Sequence, residues 1–155
     1  MTSLKLIQLN FKSGGYNLLA RVIINGKPAL MLVDTSAART VLDNDHVQKF
    51  VSQTELKRNP RRGLSSAKES VFSYVATIDK MEIGSVVINN FKATTTDLGD
   101  KNRSFRAQGN PQIDGLLGCD LLRHCKGVLR FDERVLELDT MEVPGNEPAE
   151  GIIEE

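Results

Sequence analysis

Only two cysteines, Cys119 and Cys125, occur in 155 residues, too few for the disulfide framework that holds many secreted domains together. They read as reduced, buried thiols. Asp120 and His124 lie beside them, but the C-x2-C or H-x3-H spacing that sets metal ligands on one face is missing, so no metal is expected. Charge of one sign is missing too: 20 basic residues balance 20 acidic ones. With no overall field to draw in a polyanion, nucleic acid is not an expected partner. No apolar run reaches the roughly 18 to 20 residues that cross a bilayer, and the N-terminus lacks the charged-then-apolar order of a secretory leader. The chain therefore reads as soluble and cytoplasmic, with no membrane contact. Internal repeats of solenoid length are absent as well.

At this length the chain is one domain, too short for two independent lobes, so any two-lobed site must come from two chains. Leu4, Leu6 and Leu9 to Phe11 alternate loosely as a strand, closed by the turn residues Ser13, Gly14 and Gly15. A second strand runs from Leu18 to Ile24. Asn25-Gly26 is a strong hairpin signal, because both residues tolerate positive φ, and it leads into the strand Ala29 to Val33. Val47, Phe50 and Val51 recur at helical spacing, which predicts a helix between Asp43 and Leu56 with Asp43, Asn44 or Asp45 as its N-cap. His46 falls on this helix as a surface residue.

Val71 to Ile78, Met81 to Gly84 and Val86 to Thr96 read as strands, and the polar stretch Asp97 to Pro111 as a mobile loop. Leu121 to His124 forms a short helix, with His124 serving in packing, and Val128 to Phe131 pairs with Val135 to Leu138. The basic group Lys57, Arg58, Arg61 and Arg62 reads as a solvated guard on a hairpin edge. The organisation expected is an N-terminal strand over 1–15 that can serve as a dimer contact, a main domain over 16–142, and an acidic, disordered tail over 143–155.

Two segments carry the chemistry. The first runs Met31-Leu32-Val33-Asp34-Thr35-Ser36-Ala37-Ala38-Arg39-Thr40-Val41-Leu42, the second Asp114-Gly115-Leu116-Leu117-Gly118-Cys119-Asp120-Leu121-Leu122, and each occurs once. An Asp-Thr-Ser after a strand is, by itself, an Asx-turn or a helix cap. With the second segment downstream in the expected order, the chain resembles the retropepsin-like aspartic peptidases, the retroviral-type, single-lobe family. The resemblance implies an all-β, mostly antiparallel fold, a closed retropepsin-like acid-protease barrel with one or two short helices.

By the same resemblance, Asp34 is the catalytic carboxyl of an aspartic endopeptidase acting on a peptide or protein substrate without metal or cofactor. Peptide hydrolysis needs an activated water and a proton for the leaving nitrogen. Two carboxyls about 3 Å apart share one proton and can supply both, a behaviour for which aspartic peptidases are the standard example. One triplet per chain then requires a homodimer, with Asp34 of each subunit meeting across a two-fold axis. Thr35 resembles the family threonine that braces the two loops across that axis. Ser36 stands where the family usually has glycine, and its hydroxyl adds a donor. Ala37, Leu117 and Gly118 support the loop, Gly118 by letting two backbones approach closely. Asp114 precedes the glycine, as is common in the family, and caps a turn. The arm from Pro60 to Tyr74, with its tip at Ser65, Ser66, Ala67 and Lys68, occupies the place of the substrate-binding flap. The terminal strands, Leu4 to Phe11 or Val128 to Leu138, are the expected dimer seam. Two rivals stay open: a non-catalytic peptide- or protein-binding dimerisation module on the same fold, and a metal-binding regulator using Cys119, His124 and Cys125.

Overall fold

The computed structural model describes residues 2–52, 56–58, 73–139 and 143–144. In chain order the strands are β1 (Thr2–Lys5), β2 (Ile7–Asn10), β3 (Tyr16–Ile24), β4 (Lys27–Val33), β5 (Val41–Asp43), β6 (Leu56–Arg58), β7 (Tyr74–Ile83) and β8 (Val86–Thr96). Helix α1 (Gly99–Ala107), β9 (Gly115–Leu117), helix α2 (Cys119–His124), β10 (Val128–Arg130), β11 (Val135–Leu138) and β12 (Val143–Pro144) follow. β3, β4, β9, β5, β8 and β7 pair in that order, and β7 pairs back with β3, closing a six-stranded barrel. A separate three-stranded sheet is ordered β1-β11-β10. The expected all-β fold with two short helices is therefore the fold observed, and most ladders are antiparallel.

Local chemistry accounts for the first hairpin. Asn25 and Gly26 take φ of 50° and 81°, the left-handed pair that a two-residue turn requires, and β3 pairs with β4 from Ile24 and Lys27 onward. The single strand predicted from Leu4 to Phe11 is two strands in different sheets. The break falls at Leu6, whose amide donates to the Arg134 carbonyl at 2.8 Å. Leu6 enters the barrel core while Leu9 enters a second cluster outside it, so no one straight strand could bury both.

The strands predicted separately as Val71 to Ile78 and Met81 to Gly84 form one, β7. Its inward residues are Ala76 and Ile78, then Met81 and Ile83, a change of parity across the exposed Asp79 and Lys80. β8 makes the same change opposite, from Val86 and Ile88 to Phe91, Ala93 and Thr95, at Asn90 with φ of 53°. The change split the reading of β7 but not that of β8, which was expected and is observed from Val86 to Thr96, and the ladder continues through both.

Two other expectations need correction. The segment Asp97 to Pro111 is not a loop but carries α1, whose buried Phe105 joins Leu9, Leu19, Leu32, Leu98, Ile113 and Leu116 on the outer face of the barrel. Its sequence is polar apart from Phe105, so no apolar period marks it, and tertiary packing holds it. The helix predicted between Asp43 and Leu56 shrinks to a 3₁₀ turn at Val47–Lys49. Val47, Phe50 and Val51 are buried as their spacing requires, but the Asp43 side chain accepts the Leu98 amide at 3.0 Å instead of capping a helix. At the C-terminal end, Val143 and Pro144 pair in parallel with Ile88 and Asn89 of β8. The remainder of the expected tail, 145–155, lies outside the described residues.

Candidate active site

β9 is the element that places the Asp34 loop. It lies parallel to β4 on one side, Val33 opposite Leu117, and antiparallel to β5 on the other, Val41 opposite Leu116. The loop from Asp34 to Thr40 spans between those two neighbours. Its first amide, that of Asp34, donates to the Leu117 carbonyl at 3.0 Å, and the Ala37 amide turns back onto the Asp34 carbonyl at 3.2 Å. The start of α2 closes the far side: the Cys119 amide donates to the Ala37 carbonyl at 2.8 Å and the Asp120 amide to that of Ala38 at 3.2 Å.

The Asp34 side chain is half-buried, and one of its oxygens is committed. Oδ1 accepts the Ser36 amide at 3.0 Å and the Ser36 hydroxyl at 2.5 Å, while Oδ2 has no partner among the described residues. This is the geometry of an Asx-turn strengthened by a hydroxyl. The carboxylate is thereby oriented with one oxygen left for chemistry. Thr35 and Ser36 are exposed, and Thr35 offers its carbonyl to the Cys119 thiol at 3.0 Å.

Leu117 is fully buried and supplies the carbonyl that holds Asp34. Gly118 has an ordinary extended backbone, so it is needed for space: a Cβ there would lie 2.3 Å from the Arg39 carbonyl carbon. Gly115 is crowded in the same way, with the Val41 carbonyl oxygen 2.2 Å from where its Cβ would be. The residues assigned to the flap tip, Ser65 to Lys68, lie outside the described residues; the base of that arm is the antiparallel pair β6 and β7, with Arg58 opposite Tyr74.

Sequence reasoning passed over Thr40 and Asp120 as site residues. The buried Thr40 hydroxyl donates to Asp120 Oδ1 at 2.8 Å and accepts the Gly118 amide at 3.1 Å. Oδ1 of Asp120 also accepts the amides of Thr40 and Leu121, at 2.9 and 2.7 Å. A hydroxyl at the loop's end and a carboxyl in the first turn of α2 were both visible in the two motifs. Their meeting was not.

Asp114 and His46 also need correction. Asp114 caps no turn: it is buried, and it accepts the Leu30 amide at 2.9 Å on Oδ2 and the His46 ring and Lys49 ammonium at 2.8 and 3.0 Å on Oδ1. Burial pushes its carboxyl upward, but the Leu30 amide, His46 and Lys49 together outweigh that and hold it below the ordinary value. His46 is a bridging residue, largely buried, with its other ring nitrogen 3.5 Å from Asp43. The residues near Cys119 are not gathered as ligands: Asp120 serves Thr40, and burial, with Asp139 nearby, pushes the Cys125 thiol up to about 11. Among the described residues no group of three metal-binding side chains occurs.

Asp34 borders a cleft of about 260 Å³ whose other walls are Tyr16, Asn17 and Leu18 of β3, Val33, Thr35, Ser36, and Leu129 and Phe131 from β10 and its end. Tyr16 and Phe131 meet edge to face with ring centroids 6.4 Å apart, and both remain exposed. Neither aromatic was singled out from the sequence, because each sits outside the two motifs.

Solved structures of the same architecture include a retropepsin-like aspartic protease from Rickettsia conorii, at 24% identity over 87% of this chain and 86% of that one, with a TM-score of 0.58. The retroviral protease-like domain of Ddi1 from Leishmania major aligns at 14% identity over 83% of this chain and 92% of its own, with a TM-score of 0.56. No curated protein matches this sequence. No helix among the described residues is long and apolar enough to cross a membrane. The sequence profile of the aspartyl protease family matches residues 20–121, which include both the Asp34 loop and the Gly118 turn that holds it, and the chain belongs to that family.

Proposed function

We propose that the chain is an aspartic endopeptidase, active as a homodimer in which Asp34 of each subunit contributes one carboxyl. The observation that carries this reading is the oriented, half-committed Asp34 side chain at the edge of an open cleft. One ionised Asp34 takes a proton from water as the water attacks the peptide carbonyl, and its protonated counterpart donates to the carbonyl oxygen. The first carboxyl then passes its proton to the nitrogen as the carbon–nitrogen bond breaks, and the second takes one back from the gem-diol. Ser65, Ser66, Ala67 and Lys68 are the residues assigned to contact with the bound peptide. Thr35, exposed beside Asp34, faces the partner loop.

For the seam, β10 is favoured over the N-terminal strands. β1 and β10 are the two edges of one sheet, each paired with β11, and β2 pairs with β3; β10 differs in carrying the exposed Val128, in being followed by the exposed Phe131, and in adjoining the Asp34 cleft. An exposed apolar edge is a template for pairing with a second copy.

Cleavage of a peptide library by the wild type and by Asp34→Asn, with sedimentation measured on both, tests the reading. Asn keeps an oxygen for the two Ser36 donors, so the variant is expected to dimerise and to cut nothing. Equal turnover by both proteins removes Asp34 from the mechanism, and dimerisation without turnover by either returns the chain to a non-catalytic binding module.

A further inference from the structure

β9 holds the Asp34 loop with only three residues, Gly115–Leu117. So short a strand does not set its own register, and a slip of one position would reverse which side chains face inward. The register is pinned one residue upstream, at Asp114. Its amide donates to the Leu30 carbonyl at 2.8 Å, its Oδ2 accepts the Leu30 amide at 2.9 Å, and its carbonyl accepts the Asp43 amide at 2.8 Å. One residue thus clasps β4 on one side and the end of β5 on the other.

A carboxylate buried among strands keeps such a clasp only while its charge is matched. His46 Nδ1 lies 2.8 Å from Asp114 Oδ1, and Lys49 Nζ, on a largely exposed side chain, lies at 3.0 Å. The opposite ring nitrogen of His46 is 3.5 Å from Asp43 Oδ2, and Asp43 is itself buried and receives the Leu98 amide. The imidazole therefore spans the carboxylate that ends β5 and the one that immediately precedes β9. Without it Asp114 loses its buried partner, the Leu30 clasp loosens, and β9 is free to shift, carrying with it the Leu117 carbonyl that holds the Asp34 amide.

We propose that His46 is a positioning residue for Asp34, acting through Asp114 and β9. Where turnover is the readout, this rests on the peptidase reading; where amide exchange is the readout, it does not. A displacement of about 1 Å at a reacting group can cost about a hundredfold in rate, so a strap remote from the cleft can govern activity.

The test uses the full chain and the variants His46→Ala, His46→Asn and His46→Gln. Asn places its amide donor near the position of Nδ1 and can still reach Asp114, whereas Gln extends its donor toward Asp43. Hydrogen exchange at the Asp34 amide is expected to speed up about tenfold in His46→Ala and His46→Gln relative to the barrel amides of Ile78 and Phe91, and to return to near the wild-type rate in His46→Asn. The kcat for peptide cleavage should follow the same order, falling about tenfold with KM unchanged. Exchange that rises equally at Asp34, Ile78 and Phe91, or equal behaviour of the Asn and Gln variants, overturns the proposal; the Asn and Gln comparison decides even if His46→Ala does not fold. A wild type that cuts no peptide but shows the exchange pattern keeps the strap and removes the peptidase reading. A wild type that cuts while His46→Ala retains its kcat does the reverse.

Discussion

Gly118 and Arg39 are packed backbone to backbone: a Cβ on Gly118 would fall 2.3 Å from the carbonyl carbon of Arg39 and 2.4 Å from its oxygen. The contact joins the turn before α2 to the end of the Asp34 loop, so the two motifs of the sequence are one structural unit. Neither segment can move without the other. Gly118→Ala should therefore lower the urea midpoint, corresponding to a loss of about 1–3 kcal/mol or more of unfolding free energy, because the clash is with backbone that has no rotamer to change. A midpoint equal to that of the wild type would show that the loop has room it is not credited with.

The Thr40 hydroxyl serves both Asp120 and the Gly118 amide from a fully buried position. Thr40→Val preserves the shape and leaves both groups short of a partner, a loss expected at about 1–3 kcal/mol in equilibrium unfolding. If Thr40→Ser, which keeps the hydroxyl, lost more stability than Thr40→Val, packing of the methyl would outweigh the hydrogen bonds.

Asp114 predicts an acid-sensitive fold. Its carboxyl is held below the ordinary value of 3.8, so the stability it contributes is fully present above that pH and is lost as pH falls through the lower folded value. Urea midpoints of wild type and Asp114→Asn should therefore differ most above about pH 4 and converge in stronger acid. A gap that stays constant from pH 7 to the acid limit of folding, taken as roughly pH 2, would mean the stabilisation does not come from ionised Asp114.

Phe131 is 56% exposed in the single chain and lines the cleft beside Asp34. Phe131→Asp should leave the stability of the monomer within about 0.5 kcal/mol, as surface substitutions do, while weakening self-association about tenfold or more in sedimentation. Unchanged association would move the seam away from β10.

The strands were legible where one face is buried at constant parity, as in β3, β4 and the β10–β11 hairpin, since alternation is then a direct record of the fold. Legibility failed at Asp79, where the change of parity split β7 although β8 was read whole through Asn90, and at α1, where Phe105 is the one large apolar residue and the buried Asn102 side chain bonds the Ile113 backbone. At the site, Asp34 with its Thr35 and Ser36 neighbours could be read because the motif is contiguous. The roles of His46, Asp114 and Asp120 could not, because a carboxylate's partner is whichever donor the barrel brings to it, here from 65 to 84 positions away in the sequence.

The linear order of residues was enough to determine the barrel's first hairpin and the contiguous Asp34-Thr35-Ser36 turn, because each depends on local backbone freedom or on residues adjacent in the chain. Tertiary structure alone decided what holds the Asp34 carboxyl still. The insertion of a three-residue strand between β4 and β5 brings Leu117 under Asp34 and His46 against Asp114, and such long-range pairings depend on where burial places a strand, which no local pattern encodes.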